Sequence, residues 1–245
     1  MEPIFAIDMH VRALSTASLS AMADIMRATH LDEAIFASLC RESDMYHVLQ
    51  RCAILVSRMA LTMPPPMFHD MVRATASWPD LCRRLISTSA TLSHARSRKL
   101  VALGLAHMLR HASAQDKGLL SAVPDMIGMW TEVVGEVVED EAGSADRYER
   151  ELSPTRALEI GEDGIPFLDE FGLIEAAPTP SSARTDAVRS RDPSFNVPLR
   201  AYVADTLNTV LQNGSYKTQL QSLLATIDPL VLDTLQRGLS ERPVA

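Results

Sequence analysis

The chain has 245 residues, 47% of them hydrophobic but only 5% aromatic, with 10 glycines and a formal net charge of −8. That length buries a sizeable core, and abundant Leu, Ala, Met and Arg with few β-branched or aromatic clusters favour helix. No run of about 18 apolar residues exists, which excludes a membrane-spanning helix, and the acidic balance makes nucleic acid a poor partner for the whole chain.

The first residues, "MEPIFAIDMHV", carry Glu2 and Asp8 and no basic leader, so no secretory signal is expected. From Met9 to Thr29 a helix places Leu14, Ala17, Ala21, Ile25 and Ala28 on one stripe. Ile4, Ile7, Val11, Leu14, Ile25 and Met26 are expected to form an apolar face left for a preceding repeat. "HLDEAIFASLCRE" follows with Asp32 and Glu33 suited to a first helical turn. "DMYHVLQRCAILVSRMAL" carries Met45, Val48, Leu49, Cys52, Leu55, Val56 and Met59 at helical spacing. "TMPPP" stops that helix, and its last proline fits just inside the next, "MFHDMVRATAS". Pro79-Asp80 opens another helix through "DLCRRLISTSATL".

"SRKLVALGLAHMLRH" is the most apolar helix, with Leu100, Val101, Leu103, Leu105, Met108 and Leu109 on more than one face. It should be covered on two sides. The next begins near Lys117 and meets a kink or break at Pro124; Met126, Ile127, Trp130, Val133, Val134 and Val137 continue its pattern. Cys40, Cys52 and Cys82 sit in apolar helical patterns and read as reduced core thiols of an intracellular protein.

Beyond residue 138 the composition changes. From Glu132 to Glu175 there are 14 acidic residues against Arg147, Arg150 and Arg156, which puts that stretch at −11 and the rest of the chain at +3. Residues 139–193 are expected to be a mobile acidic insertion rich in Pro and Gly, with short helical pieces near Tyr148 and Phe167. Order returns in "NVPLRAYVADTLNTVLQ", where Asn196 fits an N-cap and Pro198 the first turn. Asn213-Gly214 reads as a C-cap and turn, "SYKTQLQSLLATI" as a helix, and Asp228-Pro229 as the start of the last helix. Leu199, Val203, Leu207, Val210 and Leu211 should pack on Leu223, Leu224, Val231 and Leu235 and dock on Leu100–Leu109, leaving Asp205 in solvent.

Roughly ten antiparallel helices joined by short turns fit either a bundle or a stacked solenoid, and helices apolar on two sides favour stacking. The expected fold is all-α. It is an α-solenoid of antiparallel helix pairs over residues 1–138, the acidic insertion over 139–193 and a C-terminal helical cap over 194–240.

Residues for catalysis are sparse. No glycine-rich phosphate loop, nucleophile elbow or H-E-x-x-H motif occurs, so no enzyme, cofactor or metal is expected. His107 and His111 stand one helical turn apart, but no acidic or Cys partner lies in that helix, which favours a structural or surface pair. Cys82 with His94 lacks an orienting carboxylate or amide. The candidate partner-binding residues are Glu136, Glu139, Asp140 and Glu141, as an acidic surface for a basic partner, and Arg96, Arg98 and Lys99. Those three cations open a helix, where the dipole disfavours them. They therefore pair with the acidic segment, meet an acidic partner or are simply solvated.

The tail "SRDPSFNVPLRAYVADTLNTVLQ", then "DPLVLDTLQRGL", resembles the C-terminal end of fungal nuclear transport receptors of the importin-β (karyopherin-β) superfamily, in the branch of importins seven and eleven. "SRKLVALGLAHML", followed by a helix bearing Trp130 and then acidic residues, is similar to their late HEAT-type repeats. The resemblance implies a chain corresponding to the last part of a longer receptor, closed by folded-back helices after an acidic insertion. It also implies import of protein cargo through nuclear pores, with the Ran GTPase engaged through the full receptor, contacts to nucleoporins, and shuttling between nucleus and cytoplasm at the nuclear envelope. Against it stands a free-standing helical scaffold unrelated to Ran.

Overall fold

The computed structural model describes residues 16–40, 46–116, 118–142, 193 and 197–240. Among them all regular structure is helical: α1 Thr16–Ala28, α2 Leu31–Cys40, α3 Tyr46–Thr62, α4 Pro65–Thr75, α5 Trp78–Ser89, α6 Ala95–Arg110, α7 Val123–Ala142, α8 Leu199–Gln212, α9 Gly214–Leu224 and α10 Pro229–Ser240.

The helices stack in two layers. One runs α3, α6, α8; the other runs α2, α5, α7, α10; each helix touches the next in its own layer and its partner in the other. This is the nearest-neighbour packing of a solenoid, in which each helix pair hides its apolar face only against the following pair. The most extensive contact is α3 on α6. It depends on Gly104, where an added Cβ would stand 2.9 Å from Ser57 Cβ. Both central helices are enclosed: α3 is buried continuously from Cys52 to Ala60 and α6 from Lys99 to Ala106.

Local chemistry explains the boundaries. His30, at φ 54°, turns the chain between α1 and α2, and its carbonyl accepts from Ala34 N–H. Pro65 and Pro66 open α4, where missing N–H groups cost nothing. Ser77 caps α5 by accepting from Asp80 N–H. Before α7 a 3-10 turn spans Leu120–Ala122, so Pro124 marks a break and a fresh start. Asp228 Oδ1 accepts from Leu230 N–H at 2.8 Å and caps α10.

Three expectations are corrected. The buried face of α1 carries Ala23 and Met26, while Ile25 is 63% exposed and Ala21 and Ala28 face solvent. In a short Ala-rich helix the neighbours choose the face, and they take the larger Met26. Ile4, Ile7, Val11 and Leu14 lie outside the described residues, as does Met45. Pro198 is the residue before α8 rather than part of its first turn, and Asn196 lies outside the described residues. Asn213 caps the end of α8 as expected, and its carbonyl accepts from Tyr216 and Lys217 N–H, but Gly214 already begins α9 rather than forming a turn. Asp205 is exposed, as expected, and pairs with Arg110.

α7 continues through Ala142, so its backbone includes Glu139, Asp140 and Glu141. The stretch 143–192, with Tyr148 and Phe167, lies outside the described residues. Leu199, Val203 and Val210 of α8 are buried, Leu207 and Leu211 are half-buried, and α8 rests chiefly on α6. α10 lies on α7, with Leu235 inward; Leu220 of α9 is buried where Leu223 and Leu224 are only partly so.

Candidate functional site

Three groups of polar residues interrupt the apolar stack, and each joins elements far apart in sequence. The first is centred on Asp116, in the loop after α6. Its side chain is fully buried and takes five donors. Oδ2 accepts from His69 Nδ1 at 2.9 Å, Ser113 N–H at 2.7 Å and Ser113 Oγ at 2.8 Å. Oδ1 accepts from Arg73 at 2.9 Å and Trp78 Nε1 at 3.1 Å. Burial alone would raise the carboxyl's pKa, but the hydrogen bonds from His69 and Ser113 prevail and hold it below the usual range. Asp116 thus ties α4 and the start of α5 to the end of α6. Its signal in the sequence is only Ser113-x-x-Asp116, a local turn motif.

The second group joins α6 to α8. His107 Nδ1 lies 2.5 Å from the Tyr202 hydroxyl, and its ring is 4.5 Å from that of His111. Arg110 pairs with Asp205 and sits 5.6 Å from the centre of the Tyr202 ring. Burial foremost, with His111, His69 and Arg110 adding repulsion, pushes His107 down to about 4. His107 is therefore a neutral ring engaged with α8. Among the described residues no cluster of three or more His, Cys, Asp or Glu could hold a metal.

The third group contains the residues singled out in the sequence. Arg98 pairs with Glu136 of α7, and its Nε donates to the Ser89 carbonyl at 3.1 Å. Arg98 of the cationic helix start therefore meets one carboxylate of the acidic stretch, Glu136, between α6 and α7. Lys99 is only 8% exposed and Arg96 is half-buried. Asp125 and Glu132 stand on the solvent side of α7; Gly128 and Gly135 have nothing within 4 Å of where a Cβ would lie. The side chains of Glu139, Asp140 and Glu141 lie outside the described residues. Trp130 anchors the far side of α7, donating from Nε1 to the Ala102 carbonyl at 3.1 Å.

Thiol chemistry finds no footing. Burial pushes Cys52 up to about 11, and burial with nearby Cys40 pushes Cys82 up to about 12. A thiol so far from ionisation is a packing group and a poor nucleophile. No helix among the described residues is long and apolar enough to cross a membrane.

Residues 4–240 match the family model described as Importin-11-like, TPR repeats. Nothing matches among curated proteins or among solved structures. The description names the units TPR repeats where the sequence suggests HEAT-type pairs; both are antiparallel helix pairs stacked into a solenoid. A match over nearly the whole chain, to a repeat family whose architecture the two stacked layers reproduce, places this chain in the importin-11-like helical-repeat family of the importin-β superfamily.

Proposed function

We propose that this chain is a protein-binding region of a nuclear transport receptor, acting in Ran-dependent import of protein cargo through the nuclear pore. The observation that carries the reading is the family match over residues 4–240, supported by the two-layer helical stack. Solenoids of this kind present long continuous faces, and a partner is held by many weak contacts along them.

In this reading the chain divides into repeats over 1–138, an acidic insertion over 139–193 and a closing set of helices over 194–240. The cargo-facing surface includes the solvent side of α7 at Asp125 and Glu132, and the acidic run Glu139, Asp140 and Glu141 continues that helix in sequence. Clustered carboxylates steer a basic segment toward the surface and speed encounter more than they tighten the final complex. Glu136 and Arg98 hold each other and set the angle at which α7 leaves α6. Arg96 and Lys99 frame that same helix start. The partners are protein cargo, Ran through the full receptor and nucleoporins, and the protein shuttles between nucleus and cytoplasm.

The test is affinity capture with the full receptor immobilised and extract supplied with Ran loaded with GTP or GDP. Captured protein released by Ran·GTP and retained with Ran·GDP is the expected result. Identical capture in both states would favour a scaffold unrelated to Ran. Changing Glu139, Asp140 and Glu141 together to Lys should slow association with basic cargo several-fold, most strongly at low salt.

A further inference from the structure

The joint between α6 and α8 is built from groups that share one sign when protonated. His107 of α6 and His111, which caps its C-terminal end, have ring centres 4.5 Å apart, and Arg110 lies between them in sequence. From α4, His69 adds to the positive field at both rings. From α8 come Tyr202, in contact with His107, and Asp205, committed to Arg110. Asp116, the other carboxylate nearby, is committed to His69, Arg73, Trp78 and Ser113. No carboxylate among these groups is left to receive an imidazolium at His107.

His107 also fits this position poorly as a structural residue. Its Nδ1 meets Tyr202, but its buried Nε2 has no partner. Whichever tautomer is present, one ring nitrogen stays unmatched in a low-dielectric setting. The C-terminal end of α6 does favour a cation through the helix dipole. Burial and the neighbouring cations outweigh that preference.

We infer that the α6–α8 joint is an acid-labile latch, in which protonation of the His107–His111 pair loosens the C-terminal helices from the repeat stack while the α3–α6 contact persists. The sign follows from the ring's two environments. In the folded chain His107 resists protonation down to about 4, whereas in the released joint it approaches the ordinary histidine value of 6.5. The latch is fully closed above pH 6.5 and weakens as pH falls between these two values. At pH 5.5 the released form should be favoured about tenfold relative to pH 7.5 through His107 alone.

Hydrogen exchange of the full chain, read by mass spectrometry and corrected for the intrinsic pH dependence, tests this. Protection of α8 relative to α3 should fall about tenfold between pH 7.5 and 5.5. The double variant His107→Gln/His111→Gln should hold that ratio nearly constant. Parallel loss of protection in α3 and α8, or a double variant with the wild-type profile, overturns the latch. Should the double variant fail to fold, NMR titration of the His107 ring in the wild-type chain decides: protonation coinciding with loss of α8 protection supports it, and protonation without that loss overturns it.

Discussion

Asp116 is the residue on which the most polar contacts converge, and it shows how a single carboxylate joins helices. Replacing it with Ala leaves His69, Trp78 and the Ser113 N–H without their acceptor, and leaves Arg73 with Asp70 as its carboxylate partner. Removing one partner from a buried ionic network costs about 3–5 kcal/mol. The unfolding free energy from urea titration should drop accordingly, while Asp233→Asn, which breaks only an exposed pair with Arg237, should change it by less than about 1 kcal/mol. Equal shifts in the two variants would show that the Asp116 hub adds nothing beyond surface electrostatics. Because the folded chain holds the Asp116 carboxyl below its usual range, its contribution is present above the unfolded pKa. It is lost as pH falls through the folded value.

Among the helices, glycines separate contact from open space. Gly104 lies where α3 and α6 come closest, so Gly104→Ala must push Ser57 aside and should cost about 1–3 kcal/mol. Gly128→Ala and Gly135→Ala meet nothing within 4 Å and remove a poor helix former from α7; each should stabilise the chain by about 0.5–1 kcal/mol. Opposite shifts in thermal midpoint are the expected outcome, and destabilisation by all three would contradict the placement of α7. For α8, Val203→Asp buries an unpaired charge against α6 and should cost several kcal/mol. Asp205→Asn removes only the exposed pairing with Arg110, and a loss of at most about 1 kcal/mol is expected in the same urea titration.

For the whole molecule, two layers packed by nearest neighbours mean that each end protects the pair before it. Ending the chain at residue 192 would strip α8 from α6 and α10 from α7, uncovering apolar side chains on both. A solenoid end without a polar cap is poorly soluble. Light scattering of the shortened chain should show association at concentrations where the full chain scatters less. Equal scattering would mean that the terminal helices cover little. At the other end, Ile25 is exposed on α1, as are Tyr46 on α3 and Leu230 on α10, scattered singly as on ordinary surfaces.

Helical periodicity, proline stops and caps carried the all-α class, the enclosed character of Leu100–Leu109, the start of α10 at Pro229 and the inward side of α8. These depend on spacings within a few residues and survive any tertiary arrangement. The quoted tail and the Trp130 helix carried the family. Tertiary structure alone decided which side of α1 is buried, that Asp116 gathers donors from α4, α5 and its own loop, and that Arg110 reaches Asp205. It also decided that Glu136 meets Arg98 across the α6–α7 pair. Apart from Ser113 in the loop of Asp116, these contacts join residues at least 38 positions apart or depend on which neighbour presses on a helix. Local sequence determines which residues favour a helix and which faces are apolar, but only the packed stack brings distant polar atoms to one point and removes the water that would otherwise satisfy them.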